Sequence, residues 1–101
     1  MNTDELISHG RARFEHAAAK RLLKEKYQGK LTFAFSGGMW SAGPELITLL
    51  RDRPEIDIVL LDLYENPVRV NVPQLLREAE QRWQEQMNAW LVEYEQLSRN
   101  R

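Results

Sequence analysis

The 101-residue chain contains no cysteine. A disulfide framework, a thiol nucleophile and a cysteine-ligated zinc or iron–sulfur centre are therefore excluded. Proline and glycine are sparse, at 4 and 5 residues, and Gly10 falls inside the expected first helix at a cost of about 1 kcal/mol relative to alanine, where close packing or a kink is possible. The longest apolar run, Ile58 to Leu61 with Leu63 just beyond, falls far short of the roughly 20 residues of a membrane helix. The start, with Asp4 and Glu5, is too acidic for a secretory signal. Together these features predict a soluble, cytoplasmic protein with no membrane partner.

Neither sign of charge dominates, with 14 Lys and Arg against 15 Asp and Glu and a net charge of -1. The distribution is uneven. Residues 1–30 hold seven basic against four acidic side chains, residues 31–70 three against six, and residues 71–101 four against five. The basic first segment could meet nucleic acid or an acidic protein, or pair with the acidic middle of its own chain. At 11.9 kDa and 43% hydrophobic residues, one domain spanning residues 1–101 is expected, with a thin core.

Thr3 followed by Asp4 and Glu5 reads as a helix N-cap with acidic residues in the first turn. The helix is expected to run to about Gln28, with Leu6, Ile7, Phe14, Ala17, Ala18, Leu22 and Leu23 on one side and Gly29 as its stop. From Leu31 the period becomes two. Leu31, Phe33 and Phe35 alternate, Ser36, Gly37 and Gly38 form a turn, and Met39 to Ser41 return as a second strand. Pro44 opens a helix that Pro54 ends. The second half repeats this grammar. Ile56 to Leu63 make a strand, Tyr64 to Pro67 a turn and Val68 to Val70 a returning strand; Asn71 with Gln74 then has the form of a capping box. The fold class predicted is α+β: an N-terminal helix, two ββα units whose hairpins form a small sheet, and a long C-terminal amphipathic helix.

The last helix carries an unbroken apolar stripe of Val72, Leu76, Ala79, Trp83, Met87, Trp90, Tyr94 and Leu97 at steps of three and four. About 26 residues span roughly 39 Å, while a solid sphere with the radius of gyration of a compact 100-residue domain is roughly 34 Å across. If the first helix packs antiparallel against it, the stripe is core. Otherwise Trp83, Met87, Trp90, Tyr94 and Leu97 reach a second copy or another protein, because large aromatics left in water mark interfaces.

Other chemistry is faintly marked. Phe35-Ser36-Gly37-Gly38-Met39-Trp40-Ser41 resembles the SGGxDS phosphate loop of PP-loop ATP pyrophosphatases, but Trp40 stands where that family has aspartate. A plain glycine hairpin turn is the expectation. His9 and His16 lie two turns apart, about 10 Å along the axis and too far to share a metal. Asp57, Asp62 and Glu65 flank the second hairpin and read as solvated edge charges. Arg11, Arg13, Lys20, Lys24 and Lys26 could form a nucleic-acid-binding strip. No catalytic residues, metal or cofactor are expected.

The segment Leu60-Leu61-Asp62-Leu63-Tyr64-Glu65-Asn66-Pro67-Val68-Arg69-Val70-Asn71, taken with Met87-Asn88-Ala89-Trp90-Leu91-Val92-Glu93-Tyr94-Glu95, is similar in style to small uncharacterised proteins of tailed bacteriophages. The resemblance implies a virion, assembly or host-takeover component that works by contact, often as a multimer, and with it a virion location. The function expected is a non-enzymatic structural, assembly or adaptor protein acting through its long C-terminal helix, with itself or another protein as partner. The alternative is a nucleic-acid-binding regulator using the basic first helix.

Overall fold

The computed structural model describes residues 3–99. The element order is α1 (Thr3–Lys30), β1 (Thr32–Phe35), β2 (Gly38–Ser41), α2 (Pro44–Arg51), β3 (Asp57–Leu61), β4 (Pro67–Asn71) and α3 (Val72–Arg99). This is the α+β arrangement of a helix followed by two ββα units. The hairpins stay apart as two two-stranded antiparallel sheets, β1–β2 and β3–β4, instead of merging into one. Thr3 is already helical, so any cap of α1 lies outside the described residues.

Each hairpin follows from its turn. Ser36 and Gly37 both have positive φ, 53° and 83°, as a two-residue turn between right-twisted strands requires. Phe35 then pairs with Gly38 and Phe33 with Trp40, and Trp40 Nε1 donates to the Phe35 carbonyl at 2.9 Å. The glycine stretch is thus a hairpin turn rather than a phosphate cradle. In the second hairpin Glu65 N donates to Asp62 O and Asp62 N to Asn66 O, both at 3.0 Å. Glu65 sits at φ 62°, the left-handed position that glycine ordinarily fills. Pro44 starts α2 after Gly43, and Asn71 Oδ1 accepts from Gln74 N at 3.0 Å at the start of α3, the cap that the sequence spelled out.

The hairpins meet at one corner. Leu63 N donates to Met39 O at 2.8 Å and Met39 N to Asp62 Oδ2 at 3.1 Å. Gly38 is buried there, and a Cβ on it would stand 3.1–3.2 Å from Trp40, Val68 and Asp62. The core beneath joins Leu31, Phe33, Trp40, Ala42, Ile47, Leu50, Val70, Val72, Leu75 and Ala79.

Two long helices leave this core. Lys26 and Tyr27 of α1 meet Trp90 and Glu93 of α3, and Ala19 and Leu23 meet Leu97, so the two run antiparallel. The molecule extends 65 × 24 × 21 Å with a radius of gyration of 19.2 Å, where a compact chain of this length has about 13 Å. The apolar side expected to bury α1 does not do so. Leu6, Ile7, Phe14 and Leu22 are exposed; of the expected side Leu23 alone lies by α3, together with His16, Ala19 and Tyr27. Seven positions spread widely around a helix turning roughly 100° per residue; the seam selects the side that admits close approach.

Two stability changes follow. Gly38→Ala should destabilise the fold by about 1–3 kcal/mol, because the added methyl meets three packed neighbours at once. Glu65→Gly should be neutral to stabilising by up to roughly 1 kcal/mol, because it relieves a left-handed L-residue. Urea unfolding of both variants beside wild type reads each effect.

Candidate functional site

An apolar groove of about 670 Å³ lies beside the hairpin corner. Trp83 and Trp90 of α3, seven residues apart, contribute one wall; Trp40 and Leu31 come from the first hairpin region, Leu46 and Leu49 from α2, and Leu60, Leu61 and Leu63 from β3 and its turn. Trp40 is deeply buried, whereas Trp83 and Trp90 are half-buried and Leu49, Leu61 and Leu63 are exposed. β3 has β4 on one side and, among the described residues, no strand on the other.

Two charged groups fix the groove's walls. Asp62 is only 8% exposed. Its Oδ1 accepts from Tyr64 N at 3.0 Å and Asn66 N at 2.9 Å, and its Oδ2 from Met39 N at 3.1 Å. These donors, the Asn66 amide first, hold its carboxyl below the ordinary aspartate range against the opposing effect of desolvation. Expected as a solvated edge charge, Asp62 instead pins the turn and the hairpin corner. A carboxylate so saturated and so weakly basic is a poor proton acceptor. The signal for this role was an aspartate opening a turn, whose side chain can bond backbone N–H groups a few residues on.

Outside the groove, at the helix seam next to Trp90, Glu93 Oε1 accepts both Lys26 Nζ and Tyr27 Oη at 2.7 Å. The Tyr27 ring stacks on Trp90, centroids 5.9 Å apart and planes 7° from parallel, with the Lys30 ammonium 5.1 Å from the tyrosine centroid. Hydrogen bonding to Lys26, then to Tyr27, lowers the Glu93 carboxyl, while Glu93 raises both Lys26 and the Tyr27 phenol.

The residues expected at an interface therefore divide. Trp83 and Trp90 line the groove, and Met87 is half-buried. Tyr94 is 38% exposed, and Leu97 lies half-buried against Ala19 and Leu23 in the α1–α3 seam. The basic residues Arg11, Arg13, Lys20, Lys24 and Lys26 are all exposed. Helical spacing places Arg13, Lys20 and Lys24 on one side of α1 and Arg11 nearly opposite, and Glu93 engages Lys26. His9 and His16 remain two turns apart on α1. Among the described residues, no group of three His, Asp or Glu side chains is placed to hold a metal ion, and no helix is long and apolar enough to cross a membrane.

The pH response follows from the direction of the shifts. Asp62 and Glu93, both lowered, contribute stability that is fully present above the ordinary carboxylate range and is lost as pH falls through their folded values. Lys26 and Tyr27, both raised, contribute stability that is lost as pH rises through theirs. Thermal melting across pH should give a plateau near neutrality that falls at both ends. Asp62→Asn and Glu93→Gln should each flatten the acid limb, and Glu93→Gln the alkaline limb as well.

No family model, curated protein or solved structure matches the chain.

Proposed function

We propose that the protein is a non-enzymatic assembly or adaptor protein that binds an apolar segment of a partner polypeptide in the groove beside α3. The observation that carries this reading is that two half-buried tryptophans, Trp83 and Trp90, and three exposed leucines, Leu49, Leu61 and Leu63, converge on one concavity. Aromatic anchors in a recess ringed by aliphatic side chains are the usual makings of a binding hot spot. The unpaired edge of β3 beside it suits an extended segment, which adds backbone hydrogen bonds while alternate side chains enter the recess. The resemblance to small tailed-phage proteins agrees with a contact role in assembly or host takeover, in the cytoplasm or the virion.

Peptide selection from a random display library tests the reading. Apolar peptides should be recovered that quench the tryptophan fluorescence. Leu61→Glu and Leu63→Glu should weaken their binding about tenfold or more while leaving the melting temperature close to wild type. Recovery of no binder, or of binders indifferent to both substitutions, would contradict it.

A second reading, nucleic-acid regulation through α1, is favoured by one feature: Arg13, Lys20 and Lys24 share a side and carry no ion pair among the described residues. Affinity for a labelled oligonucleotide should then fall with salt, and Lys20→Ala should reduce the salt slope by about one. A salt-independent or absent interaction removes this reading.

A further inference from the structure

The two hairpins leave an unfinished sheet at the groove. Asp62 N donates to Asn66 O and Val72 N to Ile56 O, so Ile56, Ile58, Leu60 and Asp62 turn their backbone groups toward β4. In an antiparallel ladder the residues between them face the other way. The N–H and C=O groups of Asp57, Val59 and Leu61 therefore point out of the open edge of β3, where no strand among the described residues takes them up. In the first hairpin Ala42 N donates to Leu31 O, and by the same alternation Met39 and Ser41 lie on the outer edge of β2. The two edges touch where Leu63 N donates to Met39 O at 2.8 Å and part beyond it. Ser41 and Leu61 both line the groove, which thus opens in the fork between them.

The edge of β3 is not guarded. Residues 57–61 include neither lysine nor proline, the usual means of blunting a strand edge, and Val59 and Leu61 are 54% and 65% exposed.

Charge indicates the kind of segment that fits. Glu45 and Asp62 are the charged side chains of the lining, which has no lysine or arginine. Asp62 is engaged by three backbone N–H groups. Glu45 is exposed and joins no ion pair among the described residues, and the same holds for Asp57 at the start of the open edge. Lys26 and Lys30 are held at Tyr27. Trp83 and Trp90 add ring faces that attract a cation.

We propose that the occupant of the groove is an extended segment of another protein, apolar at alternate positions and bearing a lysine or arginine for Glu45, that lies along β3 as an added strand. This rests on the groove reading above and adds to it the mode of binding and the charge of the partner. The backbone of the segment bonds Asp57, Val59 and Leu61, and its alternate side chains enter the recess beside Trp83 and Trp90. An acidic segment meets Glu45, Asp57 and Asp62 together and is rejected.

The apolar peptides recovered by display are the probes. They should carry a lysine or arginine among alternating apolar residues. With the tightest of them bound to the full chain, amide exchange read by NMR should slow about tenfold or more at Val59 and Leu61. It should change little at Ile58 and Leu60, whose N–H groups already bond β4, and this period of two marks an added strand. Glu45→Lys should weaken that peptide about fivefold. Replacing the basic residue of the peptide by glutamate should restore binding to the variant, which a mere loss of α2 stability would not allow. Peptides that depend on Leu63 yet leave Val59 and Leu61 unprotected overturn the added strand while the groove reading stands. Binders that lack a basic residue, or are indifferent to Glu45→Lys, overturn the cationic partner. Recovery of no groove binder removes the groove reading and this proposal with it.

Discussion

A small core holds two helices longer than itself. The buried residues of the described chain all fall between Tyr27 and Ala79, in the hairpins, α2 and the adjoining ends of α1 and α3. At 28 residues each, α1 and α3 span about 42 Å. The body can cover only the end of each helix next to it. From this shortage follow the elongated shape, the half-covered tryptophans and the naked opening turns of α1. Apolar surface left in water over such lengths is the usual mark of a protein completed by contact with another molecule.

Two polar joints shape what remains. At the hairpin corner the Asp62 carboxylate takes three backbone N–H groups and fixes the turn after β3 against Met39 of β2. At the helix seam Glu93 holds Lys26 and Tyr27, and Tyr27 covers one face of Trp90. The groove lies between these joints. Because the hydrogen bonds between the hairpins, among the described residues, join Met39 to Asp62 and Leu63 at the corner, they stay separate sheets, and no described strand covers the outer edge of β3. The joints are local and satisfied, so they position the apolar walls without offering reactive groups of their own.

The element order was legible because its punctuation is local. Alternation in β1 and β3, the Ser36-Gly37 turn, Pro44 at the start of α2 and Asn71 capping α3 each act within a few residues. The α1–α3 seam was not legible in the same way. Ile7, Phe14 and Leu22 are strong hydrophobic positions of α1, yet the seam takes His16, Ala19, Leu23 and Tyr27, because the Tyr27–Trp90 stack and the Glu93 hydrogen bonds fix which side of α1 turns to α3. The aromatic stripe of α3 could be read as core or as interface; Leu97 enters the seam, while Trp83 and Trp90 stand half-buried along the groove. Asp62 was hidden for another reason. Strand alternation describes where a side chain points, and its role depends on the turn it opens.

Contact with other molecules is the role we propose for the long helices, and it rests on the body covering only one end of each. Hydrogen exchange resolved by residue tests most directly whether the opening turns of α1 stand free of the body. Helical amides lacking tertiary cover open easily, and burial by a partner slows them. In dilute solution the amides of residues 5–14 should exchange almost as fast as in an unstructured chain while residues 72–83 of α3 stay protected. Protection of residues 5–14 equal to that of the core in the most dilute sample would contradict the account.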